Sequence, residues 1–389
     1  MLILAFWSFN SCQKSEDLPI ANNTNADVKP LVQLGRCGCN TPTETNTAES
    51  DAIFQDDSYN SNEVVVEDRV NCEHSILIPA GSVDALADAL DNICTGGTIW
   101  FASGTHTENE GVVINKPVNI KGQNGALLKI QADILLDFSI PVDVALHFKY
   151  ATKAKLENLT IEPLGDIGGL AVLLEKSNGA TVNNCHFNKF EYSIFVQKSG
   201  GTKISKNVIV CSPEWLSGLI PEAYGIININ GIGPEISSNE VSQGLFGIWG
   251  CDKEGIMEKN YTHDNYIGII ACKVPQNGFT TPSGEPMGAK FSCTHWVIKN
   301  NKSENNFDAG IIAIDGANKN QFINNNLSNN GTFDIELVGD SYRFGFFTPT
   351  CYKNAVWAGD YQSVTIKDCG LDNIVYGGVQ IDTEEYPCF

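Results

Sequence analysis

The chain has 389 residues, and 46 acidic side chains outnumber 25 basic ones for a net charge of −21. That charge repels nucleic acid and anionic lipid surfaces, and leaves neutral glycans, cations and protein surfaces as compatible partners. Thirteen cysteines are many for a reducing compartment and ordinary for an exported protein.

The first element in the chain is MLILAFWSFNSC (1–12), an apolar run too short to span a bilayer. QKSED follows it. Together they resemble the end of a bacterial lipoprotein signal and the Lys-plus-acid tag that sends lipoproteins of Bacteroidetes-type bacteria to the outer face of the outer membrane. The resemblance implies a lipid attached at Cys12, export to the cell surface, and contact with the membrane only through that anchor. Residues 13–70 are rich in Asn, Thr, Asp and Glu, with 11 acidic against 4 basic side chains. Such a stretch cannot bury enough apolar surface to fold alone, and it reads as an acidic tether. Residues 71–389 then carry the folded domain.

A short helix is expected next. Ser82 suits an N-cap, Val83, Leu86, Ala87 and Leu90 share one face, and Gly96 and Gly97 would stop it. Beyond it the chain repeats. YGIINI (224–229), FGIWGC (246–251), IGIIAC (267–272) and AGIIAI (309–314) share one frame, with a looser copy, YSIFVQ, at 192–197. The aligned glycines Gly225, Gly247, Gly268 and Gly310 are 22, 21 and 42 residues apart. Asn207, Asn239, Asn260, Asn300 and Asn324 mark a second recurring position. A fixed period of this length is the signature of a solenoid. The repeats are too short for helical pairs and hold short apolar runs between Asn, Gly, Ser and Lys, which indicates strands. A parallel β-helix results, with matching residues of successive coils stacked about 4.8 Å apart. Stacked asparagines can hydrogen-bond along the column and tolerate left-handed backbone. The helix would cover the open end of the stack, as solenoids require.

The segment SVDALADALDNICTGGTIWFASGTHTENEGVVINKPVNIKGQNG (82–125) and the N-x-apolar coils resemble right-handed parallel β-helix proteins of the pectate-lyase-like superfamily. The resemblance covers roughly residues 76–381 and implies an all-β, right-handed parallel β-helix with a short N-terminal capping helix. It implies little about function, because that superfamily holds lyases, hydrolases, esterases, epimerases and proteins without known activity.

Among the cysteines, Cys251 and Cys272 occupy the frame position of Ile229 and Ile314. They are expected to be buried, adjacent and unbonded, filling the core column those isoleucines continue. A coil-to-coil disulfide and a Cys272–Cys293 bridge are the alternatives. Cys72–Cys94 could pin the cap helix, and Cys351–Cys369 the last coil. Cys37 and Cys39 lack the second pair and the histidines that zinc would want, so no metal site is expected.

The marks of the superfamily's enzymes are largely missing. There is no Gly-His-Gly and no Arg-x-Lys, and of three arginines (Arg36, Arg69, Arg343) only Arg343 lies beyond the tether. Lysine remains available as a base. What the repeat frame offers is a column just past the Cys251 position: Asn230, Asp252, Lys273 and Asp315. It reads first as a solvated edge of alternating charge, and otherwise as an outer face that could hold a sugar or move a proton. Two insertions break the period, 211–223 with Trp215, and 273–295 with Phe279, Phe291 and His295. Insertions of a solenoid gather over its binding face, which makes Trp215 and His295 further ligand candidates. The expected function is a surface-anchored, monomeric and non-catalytic β-helix that binds a polysaccharide or cell-surface glycan, or presents an adhesive face. The alternative is a polysaccharide lyase or glycoside hydrolase with an atypical site. No cofactor is called for, although Ca²⁺ could bridge an acidic glycan.

Overall fold

A computed structural model describes residues 72–135, 142–217, 223–272, 293–343, 346–384, 386 and 388, all within a unit spanning Ser61–Phe389. Cys12, the signal-like segment 1–12, the acidic stretch 13–70, Lys273 and residues 273–292 of the second insertion lie outside the described residues.

Nearly every described residue of regular structure is in a strand. The strands form three long parallel sheets, of 12, 11 and 9 strands. A complete coil gives one strand to each sheet. Phe246–Lys253 lies in the 11-stranded sheet (here sheet 1), Ile256–Glu258 in the 12-stranded sheet (sheet 2) and Tyr261–His263 in the 9-stranded sheet (sheet 3). The expected parallel β-helix is therefore the observed fold. The repeat frame is its sheet 1 register: Tyr224 pairs with Phe246, Phe246 with Ile267, and Ile267 with Ala309.

The recurring glycine has a steric cause. A Cβ on Gly225 or Gly247 would lie 2.5 Å from the carbonyl oxygen of the matching glycine in the next coil, and one on Gly268 would lie 2.7 Å from that of Gly310. In these four coils a side chain there would meet the neighbouring backbone, although other coils hold Ala171, Ser193 and Asp334 at the same position.

Ile226, Ile248, Ile269 and Ile311 point into the coil and join the main core, which runs the length of the stack. Strand alternation turns their neighbours outward, yet Ile227, Ile270 and Ile312 are also buried, in a second apolar cluster on the outer side of sheet 1. Ile229, Cys251, Cys272 and Ile314 belong to this second cluster. The two cysteines are buried, adjacent and unbonded as expected, with sulfurs 3.5 Å apart. Their column, however, lies on the outer side of the sheet and not in the coil interior.

Three asparagine ladders bind the turns. The first joins sheet 2 to sheet 3 through Asn207, Asn239, Asn260, Asn301 and Asn325, each Nδ2 donating to the next Oδ1 at 2.9–3.0 Å. Asn300 and Asn324, expected in this column, are one residue short of it. They sit with Lys206, Ser238 and Lys259 in the left-handed position, φ 50–57°. The turn thus uses two adjacent columns, one for backbone handedness and one for the ladder. Shorter ladders run through Asn265, Asn306 and Asn330 and through Asn320, Asn354 and Asn373.

The capping helix spans Leu86–Asn92 and buries Leu86, Ala89 and Leu90. Ser82 is not its cap. Ser82 donates instead to the Pro79 carbonyl, and Glu108 reaches across from the neighbouring coil to accept from the amides of Ala85 and Leu86 at 3.1 and 3.0 Å. Gly96 and Gly97 lie within the following strand, Ile93–Phe101, and do not end the helix. Cys72–Cys94 is a disulfide, as expected, and fastens the first described strand to the strand after the helix. Cys369 pairs with Cys388 and not with Cys351, while Cys351 and Cys293 are buried free thiols.

Candidate functional site

Sheet 1 is the sheet that the chain elaborates. The segment 211–223 enters it before Tyr224–Ile232, and the segment 272–296 leaves it after Ile267–Ala271. An antiparallel hairpin, Ser341–Arg343 with Phe346–Thr348, also follows a sheet 1 strand, Phe333–Leu337. Departures from the bare coil therefore cluster at the two borders of one sheet.

The outer face of that sheet carries an aromatic run. Tyr192, Tyr224 and Phe246 stand in one register column, with ring centroids 5.1 Å apart at each step, and all three are buried, at 4–5% exposure. Trp249 joins them at 5.6 Å from Tyr224 and 5.4 Å from Phe246. Trp249 keeps part of its surface accessible, and its indole N–H meets the Cys272 sulfur. Offset and edge-on geometries of this kind hold aromatic rings in fixed orientation.

Polar side chains interrupt this face near both ends. Toward the N-terminal end, His147 Nε2 is 2.9 Å from Glu175 Oε2. Burial would raise the Glu175 pKa, but the hydrogen bond from His147 and the positive charges of His147, Lys149 and Lys176 outweigh it and hold the carboxyl below its ordinary value. Gln197 stands beside Glu175 in register and is 4% exposed. Toward the C-terminal end, Glu336 and Lys367 pair at 3.6 Å, and the Lys367 ammonium lies 5.0 Å from the Phe333 ring centre.

The candidate column does not form an outer edge. Asn230, Asp252 and Asp315 are all buried, at 7%, 0% and 8% exposure. Asn230 and Asp315 take left-handed backbone at φ 59°. Asp252 continues its strand, and alternation after the outward Cys251 turns it into the coil. There its carboxylate accepts from the Gly231 amide at 2.6 Å and from the Asn228 side chain. Burial raises its pKa to about 7, against the lowering effect of those two bonds. One frame position thus holds side chains of different direction, so they do not line up as a ladder of charge.

His295 is an exposed turn residue at φ 58°, with Nδ1 3.0 Å from the Thr294 hydroxyl, leading into sheet 2. Its neighbour Trp296 is wholly buried, with Nε1 donating to the Asp252 carbonyl at 2.7 Å. Trp215 does reach the aromatic face. It is half-buried against both apolar clusters, and its Nε1 donates to the Gln243 carbonyl at 2.8 Å. His263 stacks on Tyr261 at 4.3 Å on sheet 3, away from this face. No group of three or more metal-ligating side chains suited to an ion occurs among the described residues. The aromatic run was visible in the frame, since Tyr192, Tyr224 and Phe246 all hold its first position. His147, Glu175 and Gln197 gave no motif.

No protein-family profile and no curated protein matches the sequence. Among solved structures, the chain is similar to the A-module of mannuronan C-5 epimerase AlgE6 from Azotobacter vinelandii, with a TM-score of 0.51 and 12% identity. That likeness covers 77% of this chain and 94% of the other. It is also similar to PfbA, a surface adhesin of Streptococcus pneumoniae, with a TM-score of 0.50 and 12% identity over 79% of this chain and 78% of the other. The chain is a parallel β-helix protein. At 12% identity the likeness is one of fold alone.

Proposed function

We propose that this protein is an exported, surface-anchored β-helix that binds a glycan on the outer face of sheet 1 without transforming it. The observation that carries the reading is Trp249, which keeps accessible surface and is held in place by the buried rings Tyr224 and Phe246 on the outer side of sheet 1. Sugar rings present apolar faces that stack on such an indole, and hydroxyls that polar rims receive. The fold itself serves an adhesin and an epimerase among its neighbours, so it admits binding and catalysis alike. The cysteine-terminated start supports a lipid at Cys12 and placement on the outer membrane. An acidic tether would hold the solenoid off an anionic surface.

The test is glycan binding by the full chain on an immobilised panel, followed by calorimetry on the best hit. Trp249→Ala should weaken binding about tenfold or more, with circular dichroism unchanged. New reducing ends or unsaturated products formed by the wild-type protein would overturn the non-catalytic part. Failure to bind any glycan of the panel would overturn the whole reading.

A further inference from the structure

The outer columns of sheet 1 are mostly apolar, and toward the N-terminal end three polar side chains converge on neighbouring strands. One column reads Val113, His147, Leu173, Phe195, Ile227 and Trp249, and the next reads Lys149, Glu175, Gln197, Ile229 and Cys251. The fold places apolar atoms at most of these positions, so nothing in the packing demands an imidazole, a carboxylate and an amide on neighbouring strands. His147 and Glu175 satisfy each other at 2.9 Å. Gln197 does not gain by the arrangement. Its Oε1 is buried and has no hydrogen-bond partner. Exchanging the amide's O and N would leave a buried donor in the same place. A buried polar atom without a partner is costly and persists where a ligand or a function needs it.

We propose that His147, Glu175 and Gln197 form a subsite for a neutral, hydroxyl-rich ligand, one sugar residue presenting adjacent hydroxyls. This rests on the glycan-binding reading and gives that face a polar end. The Gln197 carbonyl receives one ligand hydroxyl, and the ionised Glu175, held in place by the His147 ring, receives its neighbour. A few convergent polar groups at the edge of an apolar, aromatic surface are how small-molecule sites fix orientation. The charge balance selects a neutral ligand. Glu175 repels an anion, while the nearby Lys149 and Lys176 oppose a cation.

Calorimetry of the full chain with neutral hexasaccharides of glucose, mannose and xylose, and with an oligouronate hexasaccharide, tests the assignment. Gln197→Leu should weaken binding of the preferred neutral hexasaccharide at least tenfold while raising the melting temperature, because it removes the orphan amide. Glu175→Gln should weaken binding comparably. If Trp249→Ala abolishes binding and Gln197→Leu and Glu175→Gln leave it unchanged, the subsite is wrong and the aromatic face stands. If Gln197→Leu lowers the melting temperature, the amide is satisfied within the fold and the proposal falls. Tighter binding of the oligouronate overturns the neutral class. If no hexasaccharide binds, the glycan-binding reading fails and the subsite with it.

Discussion

Asp252→Asn should stabilise the protein at alkaline pH. The Asp252 side chain is wholly buried, and its partners are neutral: the Gly231 amide at 2.6 Å and the Asn228 carboxamide. Burial lifts its pKa from 3.8 to about 7. Between these values the folded state keeps a proton that the unfolded state has released. Folded-state stability therefore falls as pH rises through the window from about 4 to about 7. Three units correspond to roughly 4 kcal/mol. Asparagine carries no charge to desolvate. Its Oδ1 can still accept from Gly231, and its Nδ2 can donate to Asn228 Oδ1, which has no partner, once the Asn228 amide turns over. The expected outcome is a guanidinium midpoint for Asp252→Asn above wild type at pH 8, by about 2–4 kcal/mol, and a difference within about 1 kcal/mol at pH 4.5. Comparing the two proteins at each pH cancels the titration of the other carboxylates. Parallel pH profiles, or a variant less stable than wild type at pH 8, would refute the reasoning.

Three further outcomes follow from the turns and the sulfurs. Asn301→Ala interrupts a ladder, stranding the Asn260 amide and the Met257 carbonyl, and should cost about 3 kcal/mol or more in denaturant melts. Asn300→Gly relaxes a left-handed position and should change stability by under about 1 kcal/mol. Equal losses in the two would show that the columns have been exchanged. Burial pushes the Cys185, Cys211 and Cys351 thiols up to about 12 and raises Cys251, Cys272 and Cys293 as well. Alkylation of the native protein at pH 8 followed by peptide mapping should leave all six unlabelled, and labelling at Cys251 or Cys272 would mean that the outer cluster opens. Cys72→Ser with Cys94→Ser releases a loop of 22 residues and should cost roughly 3 kcal/mol; melts that coincide with wild type would show that the disulfide constrains nothing.

The solenoid was legible because its cause is periodic. One strand position favours glycine over four coils and one turn favours asparagine, and both recur at the coil length in Gly225, Gly247, Gly268 and Gly310 and in Asn207, Asn239 and Asn260. The same periodicity misled at Asn300–Asn301 and Asn324–Asn325. Two adjacent columns both accept asparagine there, one for its left-handed backbone and one for its amide. The cysteines were placed in the right column but on the wrong side of the sheet, and the reason bears on the site. A strand with one wet face announces its parity by alternation, but sheet 1 is apolar on both sides. Ile226 and Ile227 are buried alike, in different clusters, so GIINI holds no sign of which residue faces out. In such a strand only polar interruptions identify the outer face, since a polar side chain turned into the coil must find a partner there, as Asp252 finds Asn228. The interruptions at His147, Glu175 and Gln197 carry that information in VALHFK, GGLAVLLE and FEYSIFVQ. Of these segments only the last was aligned to the repeat, as its loose copy at 192–197, and the other two diverge too far from it. The candidate site thus lies where the repeat is least regular, because the side chains that break the apolar columns are the ones that coil-to-coil packing does not require.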